Sequence, residues 1–159
     1  MHAGWTTSTI RNDIAMIRLP QAVQFSNTIS PAALPSGSEI FESFAGESAV
    51  ASGFGFLGDG SDAVISPNQF LSAVTLPVMT NENCRLFFPN HVVDGNICTS
   101  GAGSKNVCRG DSGGPLVVNR NNKRILVGIT SFGARGCTWG FPAAFARVTY
   151  FLDFINNNM

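Results

Sequence analysis

The chain of 159 residues consists of short apolar segments separated by glycine, proline, asparagine and serine. Segments of this kind are typical of β-strands joined by turns. Residues 115–118 and 125–132 flank a polar turn at 119–123, which predicts a β-hairpin. Strands are also predicted at residues 13–19, 47–55, 70–77 and 144–148. This pattern favours an antiparallel barrel or sandwich.

Only the C-terminal tail has a helical period. Val148, Phe151, Leu152 and Ile155 follow one another at the spacing i, i+3, i+4, i+7. Thr149 is placed to act as the N-cap. We therefore predict one terminal helix after the strands.

The charge balance excludes several classes of partner. The net charge is zero, with 10 basic and 10 acidic residues, so no basic patch is expected for nucleic acid or a membrane surface. No apolar run approaches the roughly 20 residues that a membrane span needs. Residues 1–20 also lack the pattern of a signal peptide.

The four cysteines are Cys84, Cys98, Cys108 and Cys137. They contain no CxxC pair, which argues against a zinc site. Four cysteines allow three disulfide pairings, of which sequential pairing is the simplest. Two disulfides imply an oxidising compartment. Because residues 1–20 carry no export signal, we expect that the original N-terminus of the protein is missing.

Residues 110–114 match the pattern G-x-S-x-G around Ser112. The α/β-hydrolase form of this pattern does not fit, because a strand is predicted after it and no histidine follows Ser112. A subtilisin-like order of Asp13, His91 and Ser112 would need a parallel sheet with long helices, which the sequence does not predict. Alternatively, the segment is a glycine-rich turn in which Ser112 has no role.

The wider context favours a catalytic loop over a plain turn. Cys108 precedes the loop, Pro115 follows it, and Cys137 lies in a glycine-rich segment downstream. Glycines beside a serine allow backbone N–H groups to converge on one point, as an oxyanion hole requires.

Two motifs resemble those of the chymotrypsin family of serine endopeptidases. GDSGGPLV at residues 110–117 resembles the family's nucleophile signature, and NDIAMIRL at residues 12–19 resembles its aspartate signature. The resemblance covers nearly the whole chain in family order, and arthropod chymotrypsin-like and collagenase-like members look most similar. It implies an all-β, chymotrypsin-like antiparallel double β-barrel with an incomplete first barrel and a C-terminal helix.

The resemblance also implies how residues 1–159 divide, as one partial peptidase domain. Residues from 1 to about 35 would be the remainder of the first barrel and the crossover. Residues from about 36 to 147 would form the second barrel, and residues 148–159 the helix. Cys84–Cys98 and Cys108–Cys137 would match two family disulfides, each contributing about 3 kcal/mol to stability.

The resemblance implies the following catalytic roles. Ser112 would be the nucleophile, and Asp13 the acid that orients the base, although Asp13 could equally be a turn residue or a strand cap. The N–H groups of Gly110 and Ser112 would form the oxyanion hole. Asp111 would pair with a new N-terminal ammonium after zymogen cleavage.

The same alignment implies a substrate site. Asn106 would lie at the base of the specificity pocket, with Gly133 and Ala143 as its walls. The strand Ser131, Phe132 and Gly133 would hydrogen-bond the substrate backbone. An uncharged Asn106 offers no counter-ion to lysine or arginine, so apolar or mid-sized substrate side chains are expected. Alternatively, Asn106 caps a loop and Ser131–Gly133 is an ordinary edge strand.

Two loop acids, Asp59 and Asp62, have no assigned role in this pocket.

The family's base lies in an Ala-Ala-His-Cys segment that this chain lacks. His2 lies eleven residues before Asp13, a distance of up to roughly 36 Å in extended chain, so it is not expected near Ser112. His91 is expected at the surface. We therefore predict an N-terminally truncated chain that is inactive alone, with a collapsed pocket because Asp111 lacks its ammonium.

The expected function is that of a secreted, monomeric serine endopeptidase with chymotrypsin-, elastase- or collagenase-like specificity. Its partners would be protein or peptide substrates and protein protease inhibitors, and it would need no cofactor or metal. The alternative is a non-catalytic pseudoprotease or inhibitor-binding decoy. An unrelated structural β-domain is a third hypothesis.

Overall fold

The computed structural model of the chain describes residues 1–60 and 68–159, so Asp62 lies outside the described residues. Within them, six antiparallel strands form a closed barrel. They are β1 (Ser48–Gly53), β2 (Ser72–Met79), β3 (Asn96–Thr99), β4 (Pro115–Arg120), β5 (Lys123–Gly133) and β6 (Ala143–Arg147). Their order around the barrel is β1-β2-β3-β6-β5-β4. The barrel predicted from the sequence is confirmed.

The barrel closes because β1 pairs on both of its edges. On one edge Ser48 pairs with Pro77 and Gly53 with Ser72 in β2, and on the other Ala49 pairs with Val118 in β4. Closure leaves neither edge of β1 free to pair with another chain.

The β4–β5 hairpin is confirmed, with a shorter turn than the predicted one. The turn consists of Asn121 and Asn122, whose φ angles are 49° and 61°. Positive φ at both central positions is the geometry of a type I′ turn, and asparagine adopts it readily. The strands therefore extend into the polar segment that the sequence assigned to the turn.

The main core lies inside the barrel. Residues at alternate positions of the strands point inward, as the burial of Ala49 and Ala51 in β1 illustrates. The largest fully buried side chains include Phe145, Leu76 and Ile97. Burying each such side chain stabilises the fold by about 1.5–3 kcal/mol.

The sequence did not predict β3 or the short helix α1 (Asn81–Arg85). All four residues of β3 are buried, so its sequence shows no alternation of apolar and polar residues. The helix is one turn long and begins at Thr80, whose hydroxyl accepts a hydrogen bond from the N–H of Asn83 at 3.2 Å. Cys84 of this helix is joined to Cys98 of β3 by a disulfide.

The C-terminal tail is helical, as predicted, but its cap differs. A 3-10 turn at Val148–Phe151 leads directly into α2 (Leu152–Asn156). Thr149 is inside the 3-10 turn, so the prediction that it is an N-cap was wrong. Val148, Phe151 and Ile155 bury one face against Ile14.

The strand predicted at residues 13–19 is not formed. Ile14 is buried, but Ile17 is 85% exposed and Leu19 is 57% exposed. A strand needs a hydrogen-bonded neighbour, and the one β-bridge among residues 1–30 joins Thr6 to Arg11. The predicted domain limits near residues 35 and 147 stay a prediction. No helix among the described residues is long and apolar enough to cross a membrane.

Candidate active site

Ser112 lies in a tight loop before β4, and its side chain is exposed. Gly110 and Gly113 on either side have φ angles of 94° and 83°, which favour glycine. The Gly113 N–H donates to the Thr130 carbonyl at 2.9 Å, and the Thr130 N–H donates to the Gly114 carbonyl at the same distance. These bonds fix the loop to β5.

Among the described residues, no hydrogen bond uses the N–H of Gly110 or of Ser112. These two backbone donors therefore have no protein partner in the described part of the chain.

Asp111 lines a cavity of about 220 Å³. Its carboxylate accepts hydrogen bonds from the N–H groups of Gly55 and Cys108, both at 2.8 Å. A Cβ atom at Gly53 or Gly55 would collide with this carboxylate, so both positions need glycine. Asp111 is thus held in place by the glycine-rich segment that follows β1.

Asp13 is linked to the cavity beside Ser112 by a hydrogen bond with Ser131. The Ser131 hydroxyl donates a hydrogen bond of 2.6 Å to Asp13 Oδ2. Ser131 and Ser112 line the same cavity, so Asp13 lies behind one wall of that cavity. The sequence had left open whether Asp13 was a turn residue, a cap or a site residue, and this contact connects it to the surroundings of Ser112.

The cavity beside Ser112 has a volume of about 300 Å³. Asn106, Gly133 and Ala143 all contribute to its lining, together with Ser131 and Phe132. The predicted collapse of this pocket is wrong for the described residues. The carboxylate of Asp111 is held here by two backbone N–H groups.

Asn106 combines the two roles that the sequence left open. Its side chain donates to the Phe141 carbonyl at 2.8 Å and accepts from the Val107 N–H at 3.0 Å. It therefore caps a loop while also lining the cavity. It brings no charge to the cavity lining.

The segment Ser131–Phe132–Gly133 forms the last part of β5. Phe132 pairs with Ala144 and Gly133 with Ala143 in β6, whereas the pairing of β5 with β4 ends at Ile129. The edge facing away from β6 is therefore without a strand partner among the described residues. An extended peptide could add to this edge as an antiparallel strand.

The two histidines lie elsewhere. His2 packs its ring 5.7 Å from Phe151 and 5.0 Å from Phe154, and its Nδ1 accepts a hydrogen bond from the Gly4 N–H. His91 packs against Phe132, with 6.1 Å between ring centroids. Among the described residues, no hydrogen bond joins either imidazole to Ser112, and for His2 this agrees with the prediction. His91 was expected at the surface and is only partly exposed.

The second disulfide, Cys108–Cys137, joins the loop around Ser112 to the segment after β5. Both disulfides follow the sequential pairing. Asp59 lies close to Cys108 and Cys137, but this group is a poor metal site because disulfide sulfurs provide no thiolate ligands.

The sequence did not assign Asp59, and the structure shows what it contacts. Its carboxylate accepts hydrogen bonds from the N–H groups of Cys137 and Thr138 at 2.8 and 2.9 Å and from the Thr138 hydroxyl at 2.6 Å. The Thr138 hydroxyl is the main cause of a lowered pKa of Asp59, followed by the two N–H groups. The sequence also missed Arg109 and Arg135, which line the cavity beside Ser112.

Sequence and structure comparisons identify relatives of the chain. The family model described as Trypsin matches residues 1–155. Brachyurin from Leptuca pugilator is 42% identical over 156 residues, covering 98% of this chain and 64% of brachyurin. Serine protease 1 from Drosophila melanogaster is 40% identical, covering 99% of this chain and 56% of that protein.

A collagenase from Hypoderma lineatum is 35% identical and covers 99% of this chain and 57% of its own length. A solved structure named HL collagenase superposes with a TM-score of 0.86 at 35% identity, covering 99% of this chain and 65% of that one. The chain thus spans 56% to 64% of the length of these curated relatives. The chain belongs to the trypsin family and has the chymotrypsin-like fold.

Proposed function

We propose that this chain carries the nucleophile, the oxyanion-binding groups and the orienting acid of a serine endopeptidase. The observation that supports this most is the position of Ser112 on a cavity whose wall, Ser131, hydrogen-bonds Asp13. A nucleophile, free N–H donors and a carboxylate around one cavity are the parts that acyl transfer from a peptide requires.

In the proposed reaction, Ser112 Oγ attacks the carbonyl carbon of a peptide bond. Its proton passes to a histidine base, and the carbonyl oxygen gains a negative charge that the N–H groups of Gly110 and Ser112 stabilise. The histidine then protonates the leaving amine. Water hydrolyses the resulting ester on Ser112, and Asp13 keeps the imidazole oriented throughout.

We propose that the base is supplied by a histidine other than His2 or His91. His2 packs against the rings of Phe151 and Phe154, and His91 lies against Phe132. With only these two histidines, the described residues would acylate slowly, because the oxyanion-binding groups alone give little rate enhancement.

Asp111 is proposed to receive an ammonium group when the protein is activated. Its carboxylate faces a cavity of about 220 Å³, which also borders Gly53 and Val74. A new N-terminus entering there would pair with a carboxylate that already has backbone partners.

The proposed specificity is for apolar or mid-sized side chains, as in chymotrypsin-, elastase- or collagenase-like cleavage. Asn106 brings no charge to the cavity, so the desolvation of a lysine or arginine there would be uncompensated. Ala143, the strand partner of Gly133, adds a methyl group to the cavity lining where a glycine would leave more space. We further propose a secreted monomer, since two disulfides suit an oxidising compartment.

The experiment that tests this function is acylation of the protein by a p-nitrophenyl ester of an apolar amino acid. Such an ester needs no protonation of its leaving group, and added imidazole can replace the absent base. We expect a slow acyl adduct on Ser112 that forms faster with imidazole, detected by mass spectrometry. Ser112→Ala should abolish the adduct.

Two outcomes would contradict the proposal. An imidazole-stimulated adduct that forms at other residues and not on Ser112 would remove Ser112 from the role of nucleophile. Rapid stoichiometric labelling of Ser112 by a fluorophosphonate without imidazole would show that a base is already in place.

The second candidate function is that of a non-catalytic protein that binds protease inhibitors or substrates. It is favoured by the positions of the two histidines, because neither forms a hydrogen bond with Ser112 among the described residues. This function predicts tight binding of a protein inhibitor without any imidazole-stimulated acylation.

A further inference from the structure

The rim of the cavity beside Ser112 carries two positive charges. Arg109 and Arg135 are exposed and line this cavity, and both also line a neighbouring cavity of about 250 Å³ next to Trp139. They come from two segments that the Cys108–Cys137 disulfide joins. Among the described residues, no carboxylate lines the cavity beside Ser112.

Three carboxylates lie nearby, and all are already engaged; that of Asp111 accepts hydrogen bonds from the N–H groups of Gly55 and Cys108. Asp13 accepts the hydrogen bond from Ser131, and Asp59 accepts three from Cys137 and Thr138. Arg109 is the smallest of the causes that lower the pKa of Asp59, so it interacts with that carboxylate weakly. In the described part of the chain, neither arginine has a carboxylate within ion-pair distance.

We propose that Arg109 and Arg135 select substrates with acidic residues beside the residue whose side chain enters the cavity. This inference rests on the proposed function, because a substrate peptide must lie along Ser131–Gly133 for its neighbouring side chains to reach the rim. A guanidinium group binds a carboxylate through two parallel hydrogen bonds, which gives direction as well as attraction.

The rim and the interior of the cavity therefore bind different kinds of side chain. Inside, Asn106, Gly133 and Ala143 offer no charge and accept an apolar side chain. Outside, the two arginines favour aspartate and glutamate and disfavour lysine. The substrate class is a peptide with an apolar residue next to one or more acidic residues.

Binding of labelled peptides to the full chain tests this inference without requiring catalysis. Three rhodamine-labelled peptides share a central phenylalanine, and glutamate, glutamine or lysine flanks it on both sides. By fluorescence anisotropy, we expect each arginine to make the glutamate peptide bind about two- to fivefold more tightly than the glutamine peptide. The lysine peptide should bind more weakly than the glutamine peptide. The differences should shrink in 0.5 M salt.

Variants assign the effect to the rim. Arg109→Gln and Arg135→Gln should each reduce the preference for glutamate, and the double variant should remove it. Arg124→Gln is the matched control, because Arg124 is exposed on β5 and does not line the cavity. Ser112→Ala should keep the preference, so a failure of the proposed chemistry would not be mistaken for a failure of this inference.

Three results would overturn the inference. They are equal affinity for the glutamate and glutamine peptides, no measurable binding of any peptide, and a glutamate preference that survives in the double variant.

Discussion

The barrel and the segment before it, residues 1–47, contain similar apolar residues and bury them differently. Ile97 in β3 is completely buried, whereas Ile17 in the segment is 85% exposed. Ile97 lies in a strand that is paired with β2 and β6, while Ile17 has no strand neighbour among the described residues. Ile97 is thus covered by side chains of the paired strands, whereas Ile17 is not covered; Ile14 of the same segment is buried instead by side chains of the C-terminal helical turns.

The sharpest test of this comparison removes the same side chain from both regions. Ile97→Ala should reduce the free energy of unfolding by about 2–5 kcal/mol, because it leaves a cavity in the barrel. Ile17→Ala should change it by no more than about 0.5 kcal/mol. Urea unfolding of the two variants measures both values, and equal losses would mean that the segment packs as tightly as the barrel.

The disulfides should give the next largest effect. Replacing Cys84 and Cys98 with alanine opens a loop of 14 residues and should cost about 3 kcal/mol of stability. Replacing Cys108 and Cys137 should cost a similar amount and should also slow the proposed acylation of Ser112, because that bond holds the loop around Ser112. If both pairs slow acylation equally, the site depends on the whole barrel rather than on its local disulfide.

A smaller loss of stability is expected when the contact between the segment and β4 of the barrel is weakened. Arg120 of β4 donates to Glu42 and Glu47, and its guanidinium lies 5.1 Å from the centre of the Phe44 ring. Arg120→Gln should destabilise the protein by about 1 kcal/mol, less in high salt, because these groups are partly exposed. Arg124→Gln should leave urea unfolding unchanged, and an equal loss there would show that the effect is not specific to this contact.

The smallest expected effect concerns the hydrogen-bonded Asp59. Its pKa is lowered from 3.8 in the folded protein, chiefly by the Thr138 hydroxyl, so its stabilising contribution is complete above that pH. The contribution is lost as the pH falls through the lower folded value. In urea unfolding between pH 6 and 3, the free energy of unfolding should fall below pH 3.8, and it should fall less in Asp59→Asn. An identical fall in both proteins would exclude Asp59 as its source.

Local signals allowed the sequence to predict the β4–β5 hairpin and the loop around Ser112. The hairpin depends on a turn and its flanking strands, which lie within one short stretch, and the loop depends on glycines at fixed positions. The strand at residues 13–19 was predicted wrongly, since an apolar pattern does not reveal whether a neighbour exists to pair with it. Contacts such as that of Asp59 with Thr138 join distant parts of the chain, and no local pattern indicates them.

Pairing of β1 with both β2 and β4 affects how the protein is made. During synthesis β1 emerges from the ribosome long before β4, and β2 can pair with only one of its edges. The other edge stays open until Pro115–Arg120 has been added. Pairing between distant strands is slow, and an open edge can capture another chain in the meantime. The risk of aggregation therefore lasts until the loop around Ser112 and the strand after it have been translated.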